Sequence, residues 1–209
     1  MSVHEVKSPD RAAERTRERA GILTLAAVVA GAVGFFLVFG TSGNQADSQR
    51  NLLPYQALVR TLVESDQQVY AALRRGLVDA EAERARTSRW PEPLVLATLG
   101  APPFSHGAAD GFTWQKFEQG STVNYLGLPS DPATPAWLLA IREPGPSEPP
   151  DPAPMDDEHH RLPDGTTLHI YIWMHRFGGR VQAEFVPQPS TNGWTEIFTT
   201  PPNPVPPAM

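Results

Sequence analysis

Hydrophobic patterning divides the chain into three regimes. From Ala20 to Gly40 it reads AGILTLAAVVAGAVGFFLVFG, with no charged side chain and Thr24 as the one hydroxyl. At 1.5 Å per residue, a helix of that length covers about 30 Å, the thickness of a bilayer's hydrocarbon. The pattern then turns amphipathic. Tyr55, Leu58, Leu62, Val69, Leu73 and Leu77 recur at spacings of three, four and seven, between Arg60, Glu64, Asp66, Gln67, Arg74 and Arg75. That stripe predicts one long helix over 54–86, with Pro54 in its first turn. Trp90-Pro-Glu-Pro93 breaks it, and Leu94–Leu99 reads as a second, short helical stretch. Gly100 and Ala101-Pro-Pro-Phe104 end that stretch, because proline cannot continue a helix.

Alternation by twos takes over after Phe104. Phe112–Phe117 and Thr122–Leu128 predict a hairpin turned at Gly120 and Ser121. Ala136–Arg142 is apolar enough for a central strand, and Thr166–His175 (TTLHIYIWMH) carries the strongest strand pattern in the chain. Arg180–Val186 reads as a fifth strand, joined through Gly178-Gly179. Short connections between these runs favour an antiparallel sheet. The expected class is α+β: an N-terminal transmembrane helix, then a long amphipathic helix packed on about five antiparallel strands. The expected organisation is a cytoplasmic tail 1–19, a transmembrane helix 20–40, a linker 41–53, a periplasmic domain 54–190 and a Pro-rich tail 191–209.

Composition sharpens the location. Lys7, Arg11, Arg15, Arg17 and Arg19 precede the apolar span, and the first basic residue after it is Arg50. The positive-inside rule places the N-terminus in the cytoplasm and residues 41–209 outside it. Cysteine is absent, which excludes a disulfide scaffold, a thiolate zinc site and a cysteine nucleophile. The net charge of -6 argues against a nucleic-acid partner. Ala27, Ala30, Gly31 and Gly34 offer a flat face to a partner helix in the membrane.

Candidate chemistry rests on histidine. His159, His160, His169 and His175 fall close together, and Asp157 and Glu158 stand beside the first two. Imidazole and carboxylate suit zinc, nickel, copper or iron(II). Asp164-Gly165 is a turn dipeptide that would set Arg161 or His160 across from Leu168 or His169. A metal site from His159, His160 and His169, completed by Asp157 or Glu158, is therefore sterically possible. A solvated acidic loop is the other reading. His175 lies about 20 Å along the strand from His169 and cannot share that metal. On the strand, Leu168, Ile170, Ile172 and Met174 face the core, whereas His169, Tyr171, Trp173 and His175 face the other way. Tyr171, Trp173 and His175 are the candidate partner-binding residues, since aromatic side chains dominate interface energetics. There is no GxSxG, no HExxH, no phosphate-cradling loop and no dinucleotide fingerprint, so no enzyme is expected.

Trp90, Pro91, Leu99, Gly100, Pro102, Pro103 and Phe104, then Tyr125-Leu-Gly-Leu128, then Pro163–His175, follow the single span in order. This arrangement resembles a poorly characterised family of single-span proteins of Gram-negative bacteria. Their genes sit beside PepSY-type membrane reductases and metal-type ABC transporters, in operons for siderophore iron or zinc uptake. The resemblance implies an accessory protein anchored in the inner membrane. Its partners would be a membrane reductase, or an ABC transporter with its binding protein, and zinc or iron would be the metal. It carries over no catalytic residue. Two alternatives stand beside it: a His-based metal chaperone or sensor, and a structural envelope protein that dimerises through helix 54–86.

Overall fold

A computed structural model describes residues 52–105, 111–145 and 158–200. The apolar span Ala20–Gly40, His106, Asp157 and the terminal PPNPVPPAM lie outside the described residues. Among the described residues, no helix is long and apolar enough to cross a membrane. The elements run in the order β1 (Gln56–Leu58), α1 (Glu64–Thr87), α2 (Pro93–Thr98), β2 (Phe112–Gln119), β3 (Thr122–Pro129), β4 (Ala136–Arg142), β5 (His159–Arg161), β6 (Thr167–His175) and β7 (Thr195–Phe198). The class is α+β, as expected, but the sheet is mixed and has seven strands. Its order is β1-β7-β6-β4-β3-β2, with β5 also paired to β6. β1 runs parallel to β7, and every other pairing is antiparallel.

The long helix is shorter than its stripe. It starts at Glu64, not at Pro54, and Glu64 and Asp66 place negative charge where the helix dipole favours it. Tyr55, Leu58 and Leu62 keep helical spacing yet lie outside the helix. Gln56–Leu58 instead pairs with Glu196–Phe198, and the Glu196 amide donates to the Tyr55 carbonyl at 2.7 Å. Backbone partners so distant in sequence override a local periodicity. Mid-helix, Gly76 marks a close approach: a Cβ there would collide with the Pro102 carbonyl.

Val69, Tyr70, Leu73, Leu77 and Ala80 of α1 bury themselves against Val123, Tyr125, Trp137, Leu139, Ile141, Leu168, Ile170 and Ile172. The helical stripe is thus packed on its own sheet. Where the helix ends, the Arg84 Nε donates to Glu143 at 2.9 Å, and the Trp90 Nε1 donates to the same carboxylate at 2.8 Å. Burial opposes the Lys116 charge there, but Glu118 and Glu92 outweigh it and hold that ammonium above its ordinary pKa. The Tyr125 hydroxyl donates to the Pro91 carbonyl at 2.7 Å, and burial first, then Glu92 and Glu118, raise its pKa far above the usual phenol value.

The other sheet face is covered without a helix. Leu126, Leu138, Ala140 and Trp173 pack with Val186 and Trp194, which belong to the segment 176–194. The expected fifth strand Arg180–Val186 is absent: that stretch holds a 3-10 turn at Gly178–Arg180 and then irregular chain. The strand that does close the sheet is β7, inside the region expected to be a Pro-rich tail. Ile197 and Phe198 are buried there, so the domain extends past residue 190.

Candidate functional site

β6 is flanked by β4 on one side and by two short strands, β5 and β7, on the other. The connection 162–166 sets the β5 register. Gly165 takes a positive φ of 91°, its amide donates to the Leu162 carbonyl at 2.9 Å, and the Thr166 amide donates to Asp164 Oδ1 at 2.9 Å. That amide hydrogen bond holds the Asp164 carboxyl below its ordinary pKa. The register is His159 opposite His169, His160 opposite Leu168 and Arg161 opposite Thr167.

This register separates the two adjacent histidines. Successive side chains on a strand point to opposite faces. His159 shares a face with His169, and their rings meet edge to face with centroids 5.1 Å apart. His160 points to the helix instead. Its Nε2 lies 3.3 Å from an Arg74 Nη2, and its Nδ1 meets Glu81 Oε1. A guanidinium can only donate, so Nε2 accepts and Nδ1 carries the proton that goes to Glu81. Both ring nitrogens of His160 are spent on α1. A site made of His159, His160 and His169 together therefore does not form. The sequence had put His159 and His160 on a loop that could close as one flap; once paired as a strand, they cannot.

The remaining expected ligands are placed differently. The Glu158 carbonyl accepts from the Ile170 amide at 2.7 Å, which extends the β5 pairing by one residue. Asp157 lies outside the described residues. Among the described residues, no group of three or more His, Asp or Glu side chains is arranged to hold a metal. The pair His159–His169 is what the structure brings together, and Arg142 stands next in the same cross-strand row, opposite His169 on β4.

The candidate partner-binding residues also part company. Trp173 is buried, and its ring stacks on Tyr55 with centroids 6.2 Å apart. Tyr171 and His175 are half-buried. The segment 176–194 covers this face around Trp173.

One group that the sequence did not single out is Glu196. It is 7% exposed, opposite Trp173 in the register of β7. Burial raises its carboxyl above the ordinary glutamate pKa, a hydrogen bond from Gln56 Nε2 at 3.0 Å offsets part of that, and the Glu158 charge adds to it. The signal in the sequence was faint: Thr195-Glu-Ile-Phe198 is too short to stand out as a strand.

The family model that matches is a family of unknown function, DUF6162, over residues 56–201, from the first residue of β1 to just beyond β7. The chain belongs to that family. No curated protein and no solved structure matches it.

Proposed function

We propose that this member of the family is a membrane-anchored, extracytoplasmic accessory protein of a metal uptake or reduction system, with no catalysis of its own. The observation that carries the reading is the His159–His169 ring pair, on register-opposed residues of two adjacent strands. Two imidazoles in that position can hold zinc, copper or iron(II) while leaving other coordination positions open. An incomplete shell suits a protein that passes a metal or a ferrisiderophore to a partner rather than storing it. Asp157 and Glu158, next to His159 in sequence, are the residues that would add oxygen ligands. The apolar stretch Ala20–Gly40 with its basic N-terminal flank supports the anchor and the orientation. A chaperone or sensor that uses the same pair without a transporter partner is the second reading, and it rests on the same observation.

Metal titration of the purified full chain tests the site. The parent should bind zinc with a saturable signal. His159→Ala or His169→Ala should each abolish it, and His175→Ala should leave it intact, since that ring is about 20 Å along the strand. Because metal competes with the proton for imidazole, affinity should fall as pH drops through about 6.5. No zinc, copper or iron binding by the parent at micromolar metal would overturn the metal role. Equal loss from His169→Ala and His175→Ala would overturn the placement.

A further inference from the structure

The short helix α2 buries one edge and leaves the rest bare. Leu96 sits in the core beneath α1, whereas Leu94 is 78% exposed, Leu99 60% and Val95 40%. At about 100° per residue, Leu94, Val95, Thr98 and Leu99 fall on one side of the helix, turned away from Leu96. That outward side carries no charge. From Pro93 to Ala109 there is no Lys, Arg, Asp or Glu, and the only longer run of that kind is the one that contains Ala20–Gly40.

The polar groups of this side are already spent. The Thr98 hydroxyl donates to the Leu94 carbonyl at 2.9 Å. The Val95, Leu96 and Ala97 carbonyls accept from the Leu99, Ala101 and Gly100 amides at 3.0, 2.9 and 3.0 Å. Ser105 Oγ donates to the Gly100 carbonyl at 3.0 Å. Such a surface offers little to a peptide, because protein interfaces carry about one hydrogen bond per 100–200 Å². It is also too small for a second copy. Three aliphatic side chains expose a few hundred Å² at most, and doubling that falls short of the ~1,200 Å² that a stable dimer buries. Hydrocarbon needs neither area nor partners, only polar groups that are satisfied beforehand.

We propose that this side of α2 docks on the lipid surface of the membrane that anchors the chain, with Leu94, Val95 and Leu99 inserted at the boundary between headgroups and acyl chains. The docking rests on the anchor proposed above and adds a second point of attachment to it. Residues 41–51, between the apolar stretch and the first described residue, reach at most about 40 Å. That is about the diameter of a domain of this size, so the tether lets any face of the domain lie on the bilayer. Exposed apolar area then decides which face does. Val78 and Phe177, exposed elsewhere, stand beside the charged Asp79 and Arg176. On the approach to α2, Arg89 is exposed, a charge that suits anionic headgroups.

The absence of cysteine allows a single-site probe as the test. Leu99→Cys in the full chain is labelled with an environment-sensitive nitrobenzoxadiazole dye and reconstituted into vesicles of phosphatidylethanolamine and phosphatidylglycerol. Phe177→Cys, labelled in the same way, is the reference. The Leu99 probe should emit to the blue of the Phe177 probe and lose several times more of its intensity to lipids that carry a nitroxide near the headgroup. Adding Leu94→Glu should remove that difference and leave the thermal transition in place, because the residue is exposed. Equal emission and quenching at the two positions would overturn the docking. So would quenching that Leu94→Glu leaves unchanged. A blue-shifted Leu99 probe that the nitroxide lipids do not quench would overturn it too, and would mean cover by the tail 201–209 or by a second copy. Alkaline carbonate reads the anchor separately. Chain that washes off the vesicles overturns the anchor and the docking with it, whereas chain that stays with an unquenched Leu99 probe overturns the docking alone.

Discussion

On one face of the sheet, Val123, Tyr125, Trp137, Leu139 and Ile141 meet a regular helix; on the other, Leu126, Leu138, Ala140 and Trp173 meet an irregular strap. Both faces exclude water. They differ in how the cover is fixed. α1 satisfies its own backbone and presents a repeating stripe, so its cover is spread over apolar area, with polar ties to the sheet side at Arg74, Glu81 and Arg84. The strap has no ladder, and it is held at particular points. Asn124 Nδ2 donates to the Val186 carbonyl at 3.0 Å, and Trp194 fills the space beside His175. Periodic cover degrades gradually with lost area, whereas pinned cover should fail at its pins.

The sharpest way to break the helical face is Leu73→Asp. Leu73 is fully buried, and a carboxylate there has no partner. The cost should exceed about 5 kcal/mol, comparable to the whole stability of a domain this size, so loss of the cooperative thermal transition is expected. A variant that melted like the parent would mean that α1 does not seal the sheet.

On the strap side, Trp194→Ala should cost about 3–5 kcal/mol, the range for removing a buried aromatic. Hydrogen exchange should then rise across 176–194 before it rises in α1. Uniform loss of protection would erase the distinction between the two covers. Asn124→Ala comes next. It strands the Val186 carbonyl and should cost about 1–3 kcal/mol in denaturant unfolding, again with the strap opening first.

The smallest expected effect has the opposite sign. Burial holds the Glu196 carboxyl above its ordinary pKa, so the folded state binds its proton more tightly than the unfolded state does. Its contribution to stability is therefore fully present below the unfolded value and is lost as pH rises through the folded one. Glu196→Gln keeps an amide oxygen for Gln56 and removes the charge. It should raise stability at pH 7 by less than about 1 kcal/mol and flatten the decline above the unfolded glutamate value of about 4.3. A lower melting temperature for Glu196→Gln at pH 7 would mean that the carboxylate is better solvated than its burial indicates.

The same contrast explains what could be read without the structure. α1 from Val69 onward, α2, the hairpin β2–β3, β4 and β6 were legible because each carries a full period of its own pattern. β1, β5 and β7 were not, as runs of three or four residues they exist because β6 and each other supply partners. Gly178-Gly179 looked like a hairpin turn, and Arg180–Val186 like its returning strand. The real constraint there is close packing of Gly178 on Pro129 and of Gly179 on Pro132, which no local pattern records. For the candidate site, the turn at Asp164-Gly165 was legible and brought β5 to β6 in nearly the expected register. What was missed is parity: pairing as a strand sends His160 to Arg74 and Glu81 and leaves His159 with His169.

The pairing of β1 with β7 also sets a timetable for folding during synthesis. β1 is the first strand of the domain to be made, and its partner is the last. The β2–β3–β4 meander can assemble from neighbours as it emerges, because its contacts span short stretches of chain. Residues 56–58 must stay unpaired until 196–198 arrive, with Leu58, destined for complete burial, exposed in the meantime. A chain that has emerged only as far as Trp194 would therefore hold an otherwise formed domain with one open edge on β6. That incomplete edge, more than any surface of the finished protein, is where a chaperone would be expected to bind.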